Sequence, residues 1–261
     1  MDEPLKEAIL YGDPFRYGIS MFLSPRELYG MRSVNRMYRH LIDDQLIREV
    51  VIQEINHRLL RIFGGHQKLD NFYQVLEQTC AGISGSFILQ CLLGECWEGS
   101  DIDIFLPHRH DWNQETLIDA FFHQIMHNQL EPITTYEFCE SRVRQHLFPD
   151  GTHFQVIVVD VPSDDLQQFV CDDSDFDVCM NIYTVTNHMG KLFCYALKAI
   201  MNKWITCQHK PTDSRWLKYQ RREFAFKGSP ELLPSKYKRN GMVHTGEFEV
   251  KPHSVNHFTI D

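Results

Sequence analysis

The sequence predicts an α+β protein, and three observations predict it. Much of residues 1–60 carries apolar side chains at helical spacing, Asp101-Ile-Asp-Ile-Phe-Leu106 alternates polar and apolar, and Phe154-Gln-Val-Ile-Val-Val159 is β-branched. Helix signals gather at the start of the chain and strand signals in its middle. At 261 residues, one main domain with smaller appendages is expected. Hydrophobic residues at 43%, with 18 Phe and 10 Tyr, exclude wholesale disorder. No run approaches the ~18–20 apolar residues of a membrane span. Residues 1–20 lack a basic-then-apolar leader. A soluble chain of the cytoplasm or nucleus is expected, with no membrane partner.

Each element has its own signal. Ser24 is an N-cap with Pro25 at the first helical position and Glu27 closing a capping box. Leu28, Met31, Val34, Met37, Tyr38 and Leu41 continue it as one apolar stripe, with Arg32, Arg36 and Arg39 on the other side. A second amphipathic run spans Gln45–Phe63 and stops at Gly64-Gly65, the expected domain boundary. Residues 67–80 read as helix, as do Trp112–Leu130, Val161–Val170 and Leu192–Trp204. Strands are expected at 101–106, 154–159 and Phe176–Val185. The resulting division is a helical segment 1–64, a core 65–190 and a basic helical and loop extension 191–261 packing on that core.

Charge is uneven. The net charge is −9, yet Lys198–Lys251 holds twelve Lys/Arg against five Asp/Glu, a piece of +7 on a body of −16. Such a segment suits a phosphate-rich ligand, nucleic acid included, or docks on the acidic body. The eight cysteines form no C-x-x-C pair and read as free thiols.

The chemistry concentrates between residues 84 and 107. Two carboxylates at i and i+2 of a strand share one face, roughly 7 Å apart. Asp101 and Asp103 are therefore placed to share Mg²⁺ (or Mn²⁺), which takes oxygen ligands and leaves room for substrate phosphates. Upstream, Gly85 and Ser86 stand where a loop enters a helix. There a glycine lets the backbone approach a phosphate, and the helix N-terminus and a hydroxyl supply donors. A phosphate cradle followed by a metal-binding pair is the minimum kit for moving a nucleotidyl group from a nucleoside triphosphate.

The ordered combination, Ser84-Gly-Ser-Phe87 then Ser100-Asp-Ile-Asp-Ile104, resembles the nucleotidyltransferase fold, the family of DNA polymerase beta. The stretch Ile83–Pro107 looks like the nucleotidyltransferase-like proteins of fungi and large DNA viruses. The likeness continues through Phe154-Gln-Val-Ile, Asp175-Phe-Asp-Val-Cys179 and Arg215-Trp-Leu-Lys-Tyr219, over roughly 67–227. It implies a mixed sheet with helices on one side and a site at the strand ends. Asp101 and Asp103 would hold the metal, Gly85 and Ser86 the triphosphate, and Lys198 or Lys218 the phosphates or acceptor. Two features depart from the family pattern. The gap from Ser86 to Asp101 is long, and Gln155 stands where active members carry a third carboxylate. Asp160, Asp175 or Asp177 could substitute. Asp160 is an odd number of residues from Gln155 and faces the other way, so Asp177 is preferred.

Phe22-Leu-Ser-Pro-Arg-Glu-Leu28 with Val34-Asn-Arg-Met-Tyr-Arg-His-Leu-Ile42 resembles an F-box, over about Pro14–Val50. That implies docking on the Skp-type adaptor of cullin ubiquitin ligases, in a eukaryotic or virus-infected host cell. A degenerate central domain would then choose targets. The plainer reading is a helix pair packed on the main domain. His108-x-His110, His123-x-x-x-His127 and Cys207-x-His209 have metal-ligand spacing, but with fourteen His such pairs arise by chance. The run Arg215–Arg222 is expected to pack Trp216 and Tyr219 inward with its basic face near the nucleotide site.

Overall fold

The computed structural model describes residues 18–107, 113–125, 134–138, 141–148 and 150–228. The expected F-box start at Pro14, the pair His108/His110, His127, and the chain from 229 onward lie outside the described residues. After a 3₁₀ turn at Ile19–Phe22, helix α1 spans Pro25–Met31. Its capping box is formed: Ser24 Oγ accepts from the Glu27 amide at 3.3 Å, and Glu27 Oε2 accepts from the Ser24 amide at 2.7 Å. The helix does not run on to Ile42 as the stripe predicts. It ends in turns at Arg32–Val34, and Asn35 caps a separate α2 (Arg36–Leu41) by accepting from the Tyr38 amide at 2.8 Å. A second cap residue inside the stripe starts a new helix.

Helix α3 (Asp44–Phe63) ends at Gly64 with φ +69, a left-handed C-cap that favours glycine. α4 spans His66–Thr79. Then follow β1 (Gly82–Ser84), α5 (Ser86–Leu93), β2 (Ile102–Pro107), α6 (Asn113–Ile125), β3 (Thr134–Phe138), β4 (Ser141–Leu147) and β5 (His153–Val159). The chain continues through α7 (Leu166–Asp173), β6 (Asn181–Thr186), β7 (Met189–Cys194), α8 (Leu197–Met201), β8 (Trp204–Ile205), α9 (Asp213–Arg221) and β9 (Ala225–Phe226).

Seven strands form one mixed sheet in the order β3-β4-β5-β2-β1-β6-β7, with β2 and β5 parallel and the other pairs antiparallel. β8 and β9 form a small parallel pair. One large apolar cluster fills the main face. It joins Ile104, Val156 and Tyr183 of the sheet to Phe87 of α5, to Phe72 and Leu76 of α4, and to Ile47, Ile55 and Leu28 of the N-terminal helices. The helices on either side of the Gly64-Gly65 break therefore bury residues in the same core. The opposite face carries Ser84, Asp103 and Gln155, and beyond them Ile182 and Val159 pack with Leu166 and Val170 of α7. Helices thus lie on both faces of the sheet, α7 being the addition to the arrangement the resemblance implies.

Two segments differ from expectation. Phe176–Val185 is not one strand: Asp177–Cys179 forms a 3₁₀ turn and β6 begins at Asn181. Leu192–Trp204 is not one helix, because β7 occupies its first residues. The hairpin β6–β7 turns through Asn187 and His188 at φ +52 and +59, as a two-residue turn requires. Glu77 of α4 receives both turn amides and pins the hairpin to the helical layer.

The F-box-like stripe is mostly used inside. Leu28 is fully buried, and Met31, Tyr38 and Leu41 pack against the core, while Val34 is 68% exposed. Gly94, which ends α5, lies so close to Ser24 that a Cβ there would come within 2.6 Å of the Ser24 Cβ. Arg26 adds an ion pair to Glu95 at 3.3 Å.

Candidate functional site

The site starts from the turn between β1 and α5. Gly85 has φ +74 and ψ −145, a conformation that L side chains rarely adopt. A Cβ built there would meet Asp103 Oδ2 at 2.4 Å. The glycine is thus required twice, by its dihedral and by the carboxylate lying against it. The Gly85 carbonyl accepts from the Leu89 amide at 3.2 Å and opens α5. The amides of Ser86, Phe87 and Ile88 come before the first intrahelical partner, as at any helix start. Ser86 is 7% exposed.

Asp103 stands opposite Ser84 on β1 and alongside Gln155 on β5. Asp101, two residues back, shares its face. Burial pushes the Asp103 carboxyl up to about 7, the charge of Asp101 pushes the same way, and Lys218 and Arg215 oppose them. Its oxygens have no hydrogen-bond donor among the described residues. Gln155 occupies the neighbouring register position with an amide, which carries no charge and cannot accept a proton as a base.

The cations come from α9. Thr212 caps it by accepting from the Arg215 amide at 3.3 Å, and Trp216 and Tyr219 are buried in the main core. Arg215, Lys218 and Arg222 follow at i, i+3 and i+7, on one face. Lys218 is pulled below the ordinary lysine range by burial and by Arg222 and Arg215, while Asp103 and Asp101 act against this. Arg215 is held by Asp175 through two bonds of 2.5 and 2.7 Å. Arg222 donates to Ser100 Oγ at 2.8 Å and lies 3.9 Å over the Trp97 ring. The helix therefore delivers positive charge to the strand end carrying the two aspartates.

Gly85, Ser86, Asp101, Asp103 and Lys218 thus converge on one end of the sheet. Two other predicted residues lie elsewhere. Asp177 sits in the 3₁₀ turn, where its Oδ1 accepts from the Thr206 amide at 2.9 Å and its own amide donates to the Thr206 carbonyl at 3.2 Å. Burial raises its pKa while the Thr206 bonds lower it, and it is not among the charges bearing on Asp103. Lys198 is exposed on α8, and it too is absent from those charges. Asp175, weighed as a third carboxylate, is engaged by Arg215. Of the weaker pairs, His209 Nε2 lies 3.2 Å from the Asp172 carbonyl while Cys207 is buried.

Among the described residues no group of three or more His, Cys, Asp or Glu could hold a metal ion. The pair Asp101/Asp103 is a different donor set. Mg²⁺ is commonly held by one or two carboxylates plus substrate phosphates, so it fits a half-buried carboxylate without a donor beside a backbone cradle. A zinc cage does not fit.

A polar cluster between α6 and β4 was not foreseen. Glu115 binds Arg142 at 2.6 Å and also Arg144, which in turn binds Asp119. His146 lies fully buried beside them, stacked 4.4 Å from the Phe122 ring. With β4 unpredicted, nothing in the sequence placed these residues together.

No protein-family model matches the chain, and no curated protein matches it. Among solved structures it is similar to a CCA-adding enzyme in apo form, with 14% identity, TM-score 0.48, and coverage of 71% of this chain and 43% of that one. The CCA-adding enzyme in complex with ATP gives 14% identity, TM-score 0.49, and coverage of 71% and 44%. The Thermotoga maritima CCA-adding enzyme complexed with tRNA gives 14%, TM-score 0.47, and coverage of 70% and 42%. The chain matches less than half the length of each.

Proposed function

We propose that this protein binds a nucleoside triphosphate with Mg²⁺ and transfers its nucleotidyl group to an acceptor hydroxyl. The observation that carries the reading is Gly85 lying against Asp103, with space for no Cβ and with the Asp103 carboxyl raised to about 7. A carboxylate so poised gains most from a cation, and the start of α5 beside it offers backbone donors to phosphate. Asp101 and Asp103 would hold the metal. Gly85 and Ser86 would receive the triphosphate, with Lys218 and Arg215 neutralising it. The metal, when bound, supplies charge neutralisation on the phosphates.

In the transfer, the acceptor oxygen forms a bond to the α-phosphorus, the bond from that phosphorus to the β-phosphate bridging oxygen breaks, and pyrophosphate leaves. The acceptor's proton passes to water, because Gln155 cannot take it. Calorimetry with ATP, GTP, CTP and UTP, each with Mg²⁺ or Mn²⁺, tests the binding. Metal-dependent binding that disappears in Asp101→Ala/Asp103→Ala is expected, and pyrophosphate release in the presence of an acceptor completes the test. Metal-independent binding, or binding unchanged in the double variant, refutes it.

Gln155 also favours a second reading, a nucleotidyltransferase-like domain that binds without transferring and serves an F-box-type adaptor. Among the described residues, Val34, and Phe22 at 87% exposure, are large apolar side chains left exposed on that segment for a Skp-type partner. The buried Leu28 argues against it. Binding of purified Skp-type adaptor that is lost in Val34→Asp would favour this reading over the enzyme.

A further inference from the structure

A cleft of about 490 Å³ opens between α3, the start of β2 and the turn leading into β5, and neither Asp101 nor Asp103 lines it. Its walls come from α3, from residues 97–102 and from the turn 150–153 ahead of β5. Ser100 and Ile102, on either side of Asp101, line it, as does Phe87, next to Ser86. The α3 wall carries the charge. Arg58 is 7% exposed; its Nε donates to Glu54 at 2.6 Å and its Nη1 to the Glu95 carbonyl at 2.8 Å. Its Nη2 has no partner among the described residues. Arg61, nearly one turn further along α3, is exposed and in no ion pair among the described residues. His153 lies on the opposite wall, and Asp150 is turned to its own loop, accepting from the Thr152 amide at 2.9 Å.

A guanidinium buried to this degree with a free nitrogen gains from an anion, and the planar fork of Arg matches phosphate. The volume lies within the ~300–1,000 Å³ of small-molecule sites. Trp97 and Phe87 give the cleft an aromatic wall. We infer that this cleft binds a small phosphorylated molecule of nucleotide size, its phosphate on Arg58 and Arg61 and its body against Trp97.

The test uses the full chain in EDTA, with inorganic phosphate and AMP as probes, followed by calorimetry and Trp fluorescence. AMP should bind more tightly than phosphate and alter the fluorescence. Arg61→Gln should weaken AMP by about tenfold, the scale of one charge-assisted hydrogen bond. Trp97→Phe should remove the fluorescence change. Asp103→Asn should leave metal-free AMP binding intact while abolishing Mg²⁺-dependent triphosphate binding, so failure of one site is distinguishable from failure of the other. Absence of saturable binding, equal binding of the two probes, or AMP binding that survives Arg61→Gln overturns the inference.

Discussion

Replacing Asp103 by Asn in metal-free protein should stabilise the fold at alkaline pH. The native carboxyl titrates at about 7, whereas an unfolded aspartate titrates near ~3.9. Between those values the native protein holds a proton that the unfolded chain has released, so stability falls as pH rises through the window. At pH 8 the full penalty is present. A gap of about three pH units at ~1.4 kcal/mol each sets a ceiling of ~4 kcal/mol. Asp103 keeps some contact with solvent, so ~2–4 kcal/mol is expected, or roughly 5–15 °C in melting temperature. Asn carries no charge and escapes the penalty. Urea unfolding of both proteins in EDTA from pH 4 to 8 measures it. The difference should be small at pH 4, rise through the window between the two values with its half-height near ~5.5, and level off above about 7. A variant less stable than the parent at pH 8, or a difference that ignores pH, refutes the reasoning. The difference curve is needed because His146 slopes the other way. Burial, then the charges of His123 and Arg144, lower it to about 4, outweighing Asp119 Oδ1 at 3.6 Å from its Nε2. There the unfolded chain binds the proton that the native ring refuses, so stability falls as pH drops from about 6.5.

His146→Phe should flatten that acid limb, with a gain over the parent of up to ~3 kcal/mol near pH 4, read in the same unfolding series. Gly85→Ala should cost ~2–3 kcal/mol, because its φ of +74 is strained for Ala and its Cβ meets Asp103 Oδ2 at 2.4 Å. It should also lose triphosphate binding by calorimetry, and wild-type stability in this variant would contradict the cradle. Lys218→Ala should weaken triphosphate binding by about tenfold and reduce its salt dependence. It should also move the Asp103 midpoint to higher pH, since Lys218 opposes the rise. Gln155→Asp should tighten Mg²⁺ and raise any transfer rate, at the expense of metal-free stability, and titration calorimetry with Mg²⁺ checks it.

What the sequence revealed follows the range of each signal. Caps and periods act within a few residues, so Ser24, Gly64 and the alternation at 101–106 located their elements closely. Asp101 and Asp103 share a face by strand geometry alone, and Trp216 and Tyr219 turned inward as the amphipathic spacing of α9 requires. The hairpin β6–β7 was missed because its turn is Asn187-His188 and lacks the glycine that usually marks such turns. β7 itself, with Gly190 and Lys191 in its middle, has no clean alternation. Asp177 illustrates a different limit. Whether a carboxylate faces a metal or a backbone amide depends on a neighbour at Thr206, 29 residues away in the chain, which no local pattern encodes. The pairing of Arg215 with Asp175 across 40 residues is of the same kind.

The residue at 155 follows from the charge balance around it. Asp103 is already strained by burial and by Asp101, and among the described residues Lys218 and Arg215 relieve it. Arg215 is shared with Asp175. A third carboxylate in register on β5 would add a like charge beside an acid already at about 7, with one lysine left largely unshared to answer it. Without metal, such a strand end would take up a proton or lose stability. An amide there keeps the sheet's packing and hydrogen-bonding capacity without the charge. Under the proposed function, one divalent cation arriving with a triphosphate would suit this charge balance better than two cations held by protein alone. Gln155→Asp tests this from the stability side as well. If the variant melts no lower than the parent in EDTA at pH 8, position 155 is not under this electrostatic constraint, and the two carboxylates can support a third.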